Sequence, residues 1–279
     1  MTTRPARRTR RTGPALQAAG IGAAALLALT ACSSSGDSPS APGASSGDSS
    51  AKLGGTVTVF AAASLTESFT ALGKEFEREH PGTKVTFNFG GSDTLAASIT
   101  GGAPADVFAA ASPTTMDVVT GRNETATAPT TFVRNRLEIA TLPGNPGKVA
   151  SLKDLTAPDL KVVLCDETVP CGSAARKALD ASHLKLTPVS YEQDVKSALT
   201  KVELKEADAA VVYQTDVKAA GDKVEGVEFP EAAGAVNDYP IALLKDAPNT
   251  AAAKAFIALV RSPAGQKVLT AAGFLEPAS

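Results

Sequence analysis

Ser64 and Ser92 each stand where an apolar run gives way to a helical one, and a hydroxyl at such a place has two uses. It can cap its own helix, or it can join the free N–H groups of the helix N-terminus in holding an anion. The first junction reads Val57-Thr-Val-Phe-Ala-Ala-Ala-Ser64-Leu-Thr-Glu67. Ser64 with Glu67 three residues on has the form of a capping box, an ordinary helix start. The second reads Phe89-Gly-Gly-Ser92-Asp93. Its paired glycines admit a ligand close to the backbone, or simply make a turn that Ser92 or Asp93 caps. A third, Cys165-Asp-Glu-Thr-Val-Pro-Cys171-Gly172, would present the Cys171 N–H at a helix start. Ser190-Tyr-Glu-Gln193 again has capping-box form, whereas Asp194 as the cap would leave the Val195 N–H free; the spacing leaves both open. Tyr213 closes an Ala-Ala-Val-Val run, either as a core aromatic or as a hydroxyl donor to a ligand.

Nucleophilic chemistry is the rival use of Ser64, with His183 and an aspartate as partners. Against it, the folded region holds no nucleophile elbow, and Asp180-Ala-Ser-His183-Leu-Lys reads as solvated surface. Gly43-Ala-Ser-Ser-Gly47 fits the G-x-S-x-G pattern by chance, lacking a strand before it and a helix after it. The Leu142-Pro-Gly-Asn-Pro-Gly-Lys148 stretch has the wrong glycine spacing for a phosphate loop. No catalytic residue is expected.

Strands must deliver these groups, and β-branched runs predict them at 56–61, 84–89, 106–110, 137–141, 161–165, 209–213, 226–230 and 239–244. Helical faces lie between most of them. Leu65, Phe69, Leu72 and Phe76 share one, which stops before His80-Pro81-Gly82; Val195, Ala198, Leu199 and Val202 share another. Ser262-Pro263 opens a last helix in cap and first-turn positions, and Gly273 closes it. The alternation implies an α/β fold with largely parallel sheets, in which ligands sit outside the carboxyl ends of the strands. No internal repeat is visible.

The two ends of the chain differ in charge. Over 279 residues, 27 Lys+Arg oppose 29 Asp+Glu, but Arg4, Arg7, Arg8, Arg10 and Arg11 crowd a start without any acidic residue before Asp37. After them come the apolar core Gly20-Ile-Gly-Ala-Ala-Ala-Leu-Leu-Ala-Leu-Thr30 and Leu29-Thr30-Ala31-Cys32. The order describes an export signal over 1–31, and its last four residues resemble a bacterial lipobox, with Cys32 lipidated as the new N-terminus. A transmembrane anchor is the alternative, poorly served by so much Gly, Ala and Thr. Export by the general or the twin-arginine route is left open. The remaining 22 basic residues face 29 acidic ones, a net charge of −7 that argues against a nucleic-acid surface. Residues 33–50, half of them Ser, cannot bury a core and are expected, within 32–52, to be a flexible tether. With Cys32 lipidated, Cys165 and Cys171 are the two cysteines left in an oxidising compartment, and a disulfide is the economical reading. Two His and three Cys nearly exclude a His-rich metal site or a zinc ribbon.

In this order the pieces resemble the bacterial molybdate-binding proteins of ABC importers, which have a two-lobed periplasmic-binding-protein fold. The strings that carry the resemblance are Val59-Phe-Ala-Ala-Ala-Ser-Leu-Thr66, Ser92-Asp-Thr-Leu-Ala96, Gly102-Ala-Pro-Ala-Asp-Val-Phe108, Val169-Pro-Cys-Gly172, Asp194-Val195, Val212-Tyr213, Phe229-Pro-Glu231 and Tyr239-Pro240. They run from about residue 56 to the C-terminus. The resemblance implies an oxyanion held by the hydroxyls of Ser64, Ser92 and Tyr213 and by the backbone N–H groups of Cys171 and Val195, with Asp194 as the helix cap. Gly91 and Asp93 flank Ser92 where relatives often carry Ser or Gly, and Asp93 sets a carboxylate beside the site. Further expectations are molybdate or tungstate as ligand, no cofactor and no metal beyond the oxyanion, an ABC permease as partner, a monomer, and lipid anchoring outside the cell membrane. One lobe is expected over 53–136 plus 230–279 and the other over 137–229, the chain crossing near 135–138 and 229–230; sulfate is the rival ligand.

Overall fold

A computed structural model describes residues 53–278; the export signal, Cys32 and the tether lie outside the described residues. Ten strands divide into two five-stranded sheets. The first takes β1 (Gly55–Ala62), β2 (Thr83–Gly90), β3 (Val107–Ala109) and β4 (Thr130–Asn135), and much later β10 (Asn237–Leu243). Its order is β2-β1-β3-β10-β4, parallel across β2, β1 and β3 and antiparallel on both sides of β10. The second takes β5 (Leu137–Thr141), β6 (Val162–Cys165), β7 (Ser190–Glu192), β8 (Ala209–Tyr213) and β9 (Glu225–Val227) in the order β7-β6-β8-β5-β9. It too is parallel across β7, β6 and β8 and antiparallel on both sides of β5. The two halves therefore share one topology, a repeat that the sequence does not display. The sheets are mixed rather than largely parallel.

Helices cover both faces of the first sheet. On one side α1 (Thr66–Glu79), α7 (Thr250–Arg261) and α8 (Pro263–Ala271) bury a cluster built on Phe69, Phe76, Phe132 and Phe256. On the other, α2 (Ser92–Thr100) and α3 (Pro113–Thr120) close over Phe60, Leu95, Phe108 and Met116. Phe69 meets Phe132 and Phe256 at ring distances of 5.8 and 5.9 Å, so this core rests on interlocked aromatics. Around the second sheet, α4 (Pro170–Ala181), α5 (Val195–Glu203) and α6 (Gln214–Ala220) bury one continuous cluster. Every residue of β5 and β8 is buried, which suits the uninterrupted apolar run Ala-Ala-Val-Val of β8, while β5 buries Glu138 and Thr141 among its apolar residues.

The last helix begins as its residues require: Pro263 occupies the first turn and the Ser262 hydroxyl accepts from the Gly265 N–H at 3.1 Å. Gly273, at φ +104°, ends it. Strands 137–141 and 209–213 fall where the residue pattern puts them, and most others agree to within a residue or two. The pattern misses β4 and β7, each at one edge of its sheet, where no continuous apolar run is needed. It also overextends β9, which stops at Val227. Phe229, Ala232 and Ala235 pack into the cluster around the second sheet, and the chain joins the first sheet again as β10 from Asn237. No helix among the described residues is long and apolar enough to cross a membrane.

Candidate functional site

Between the two sheets, at the carboxyl ends of β1, β2 and β8, lies a small, partly open cavity of about 10 Å³. Ser64, Ser92, Cys171, Val195 and Tyr213 all line it, together with Ala62, Gly91 and Ala111. Three helices, α2, α4 and α5, start at its wall, so three helix N-termini converge there. No described lysine or arginine lines it.

Each start is built differently. Ser64 lies in a short 3₁₀ turn, Ala63–Leu65, and caps nothing, so the capping-box reading is not realised. Its hydroxyl lies 2.9 Å from that of Tyr239, and Glu67 turns instead to Lys196. Ser92 opens α2, and its hydroxyl accepts from the Ala111 N–H at 2.9 Å. At α5 the open choice falls to Asp194, whose carboxylate accepts from the Ser197 N–H and hydroxyl, both at 2.9 Å. Although Asp194 borders the cavity, both its oxygens are thus occupied, and the Val195 N–H in the first turn is left without an intrahelical partner. Ser190 hydrogen-bonds Glu192 within its own strand.

At α4 the Cys171 N–H is free for the same reason, because Pro170 fills the first helical position. Cys165 and Cys171 are joined as a disulfide, Cα to Cα 5.8 Å, which ties the loop to the strand before it. Gly172 completes this close fit, since a Cβ there would stand 1.9 Å from the Asp166 carbonyl oxygen.

The hydroxyls are supplied from behind by residues the sequence did not single out. Asn237 Nδ2 donates to the Tyr213 hydroxyl at 2.8 Å and to the Pro170 carbonyl at 3.2 Å. Asn135 Nδ2 donates to Thr215 at 2.8 Å and to Tyr239 at 3.3 Å. Tyr213 and Tyr239 are buried edge to face, ring centres 6.0 Å apart. Burial pushes both phenols well above their ordinary pKa, so each keeps its proton. The one available signal was Tyr239-Pro240, a polar-tipped aromatic inside an apolar strand; the two asparagines offered none.

Around the rim, Lys196 follows Val195 and lies 2.9 Å from Glu67 and 3.2 Å from the buried Asp216. Burial disfavours its charge, but Asp216 and Glu67 together raise its pKa. Asp216 itself accepts from the Tyr213 N–H and is pushed up to about 6 by burial. Asp93 does not line the cavity; it stands in the first turn of α2, where a carboxylate suits the helix dipole, with Oδ1 buried and unpartnered. His183 is not at the cavity either, and the partner of Ser64 is Tyr239 rather than an imidazole.

The family model described as bacterial extracellular solute-binding protein matches residues 57–275. The chain is 44% identical over 259 residues to the molybdate-binding protein ModA of Mycobacterium tuberculosis, covering 92% of this chain and 97% of the relative. It is 32% identical to the molybdate-binding protein ModA of Escherichia coli over 79% of this chain and 89% of that one. Among solved structures, the periplasmic molybdate-binding protein of Azotobacter vinelandii superposes with a TM-score of 0.70 at 20% identity. The match covers 80% of this chain and 100% of that one, a likeness of fold.

Proposed function

The chain belongs to the bacterial extracellular solute-binding proteins and, within them, to the molybdate-binding ModA proteins, and from that premise we propose that the donor-lined cavity is where it holds its anion. It is a molybdate-binding protein that serves an ABC importer. In this reading the hydroxyls of Ser64, Ser92 and Tyr213 and the N–H groups of Cys171 and Val195 surround one oxyanion. The observation that carries it is that all five groups line one cavity and that every one of them is neutral and carries a proton to donate.

Molybdate at neutral pH is a dianion without protons, so each of its four oxygens wants donors. Helix N-termini and hydroxyls provide them without a lysine or arginine. Phosphate carries a proton at that pH; among five groups that all donate, it stays unpaired, at a cost of about 1–3 kcal/mol. Sulfate is rejected by size, being smaller in a cavity walled by fixed donors. Tungstate, close to molybdate in size and charge, binds comparably.

The two sheets with their helices act as hinged lobes. Residues 53–136 and 236–279 form one and 137–235 the other, a division supported by the two sheets and by the packing of Ala232 and Ala235. Ser64 and Ser92 come from one lobe and Cys171, Val195 and Tyr213 from the other, so an anion bridging them favours the closed arrangement. The protein is exported, and lipidation of Cys32 with the stretch 33–52 as tether holds the monomer near its permease.

A thermal-shift series with molybdate, tungstate, sulfate and phosphate tests the assignment. Molybdate and tungstate are expected to raise the melting temperature at millimolar concentration, and the other two are not. A larger shift with sulfate would move the ligand assignment, and no shift with molybdate or tungstate would overturn it.

A further inference from the structure

We infer that Asn135 and Asn237 are positioning residues that fix the direction of the cavity's hydroxyl protons and thereby exclude protonated oxyanions; the inference rests on the molybdate reading above. The orientation of both amides is set by groups of one polarity. Asn135 Oδ1 accepts from the Arg136 N–H at 3.0 Å, which leaves Nδ2 facing Thr215 and Tyr239. Asn237 Nδ2 faces the Pro170 carbonyl, which can only accept, so the nitrogen also faces Tyr213. Tyr213 therefore receives a hydrogen bond, and its own proton is available to the cavity.

Tyr239 likewise receives from Asn135. A phenol is more acidic than an alkanol, so in the 2.9 Å contact with Ser64 the proton runs from Tyr239 to Ser64. The Ser64 proton then points to the anion. Ser92 reaches the same state by accepting the Ala111 N–H, a donor that cannot reverse. All three hydroxyls are thus acceptors on their outer side and donors on their inner side, two of them through asparagines.

These asparagines are cross-strand partners, Asn237 opposite Asn135 in the pairing of β10 with β4. Both lie where the chain passes between the sheets, and both reach across to groups attached to the second one. A hydroxyl freed of its outer donor can rotate and accept a proton from the ligand. Loss of the amide therefore opens the cavity to anions that carry an O–H.

Asn237→Ala is the discriminating variant, since Asn237 is only partly buried whereas Asn135 is wholly so. Calorimetric affinities for molybdate, sulfate, hydrogen arsenate and hydrogen phosphate are measured on the wild type and the variant. Molybdate affinity is expected to fall about tenfold, while the preference for molybdate over hydrogen arsenate narrows by at least that factor. A merely structural role would weaken all four anions by a common factor and leave the ratio unchanged, which would overturn the inference. Wild-type protein that does not bind molybdate would instead overturn the function on which it rests. Should Asn237→Ala fail to fold, the isosteric Asn237→Asp takes its place. Its carboxylate accepts the Tyr213 proton, so molybdate binding is expected to collapse; wild-type affinity there would also overturn the inference.

Discussion

Each cavity hydroxyl is bonded on its outer side, so deleting one is expected to remove a donor to the proposed anion while most of the remaining geometry stays in place. Tyr213→Phe leaves Asn237 still bonded to Pro170, and Ser92→Ala leaves the buried Ala111 N–H without its acceptor. Both substitutions are expected to weaken molybdate binding by about 1–3 kcal/mol, tenfold or more, in calorimetric titrations. Only Ser92→Ala is expected to lower the melting temperature of the ligand-free protein as well, because it alone strands a buried backbone donor. Unchanged affinity in both variants would remove these residues from the site. The serines and Tyr213 end strands or begin helices, positions that local spacing marks as candidates. Asn135, Asn237 and Tyr239 act through partners 24 to 175 residues away, and no local spacing reports such a contact.

Helix starts are the elements that make the site, and α6 shows how one is held. Asp216, in its first turn, accepts from the Tyr213 N–H and pairs with Lys196 while wholly buried. Its pKa rises from 3.8 to about 6 because burial disfavours the charged form. A carboxyl with a raised folded-state pKa binds more protons folded than unfolded between those values. Its contribution to stability is therefore full below about pH 4 and is lost as pH climbs through about 6. Melting curves of the wild type and Asp216→Asn from pH 4 to 7 are expected to show the wild type losing ground to the variant across that window. A pH-independent difference would mean that the carboxyl titrates at its ordinary value. Where the sequence pattern missed elements, it missed edge strands: β7 has three residues and Tyr191 in it is exposed.

At the scale of the whole molecule, closure depends on how nearly the two lobes approach. Gly91, on the first sheet's side, has a φ of −59° that any residue adopts, so its backbone does not require glycine. The space does: a Cβ there would stand 2.4 Å from the Gln193 carbonyl oxygen on the other side of the cavity. Gly91→Ala is expected to keep the ligand-free melting temperature within a few degrees, yet to weaken molybdate binding about tenfold or more by holding the lobes apart. Calorimetry with small-angle scattering, free and with molybdate, checks this; full affinity with normal compaction would contradict it. The close approach of the Gln193 carbonyl gives the glycine at position 91 a steric reason.

Local order is what the sequence by itself determined: the strand runs, the helix faces, the cap at Ser262 and the α/β class. These follow from interactions within a few residues of one another, which composition and period record. The tertiary structure decided what depends on distant partners. It gave the helix cap to Asp194, took Ser64 out of its capping box, repeated one topology in two halves without a repeated sequence, and placed two asparagines behind the hydroxyls. The physical reason is that a hydroxyl has no direction of its own; which way its proton points is set by whichever group the fold brings to its other side.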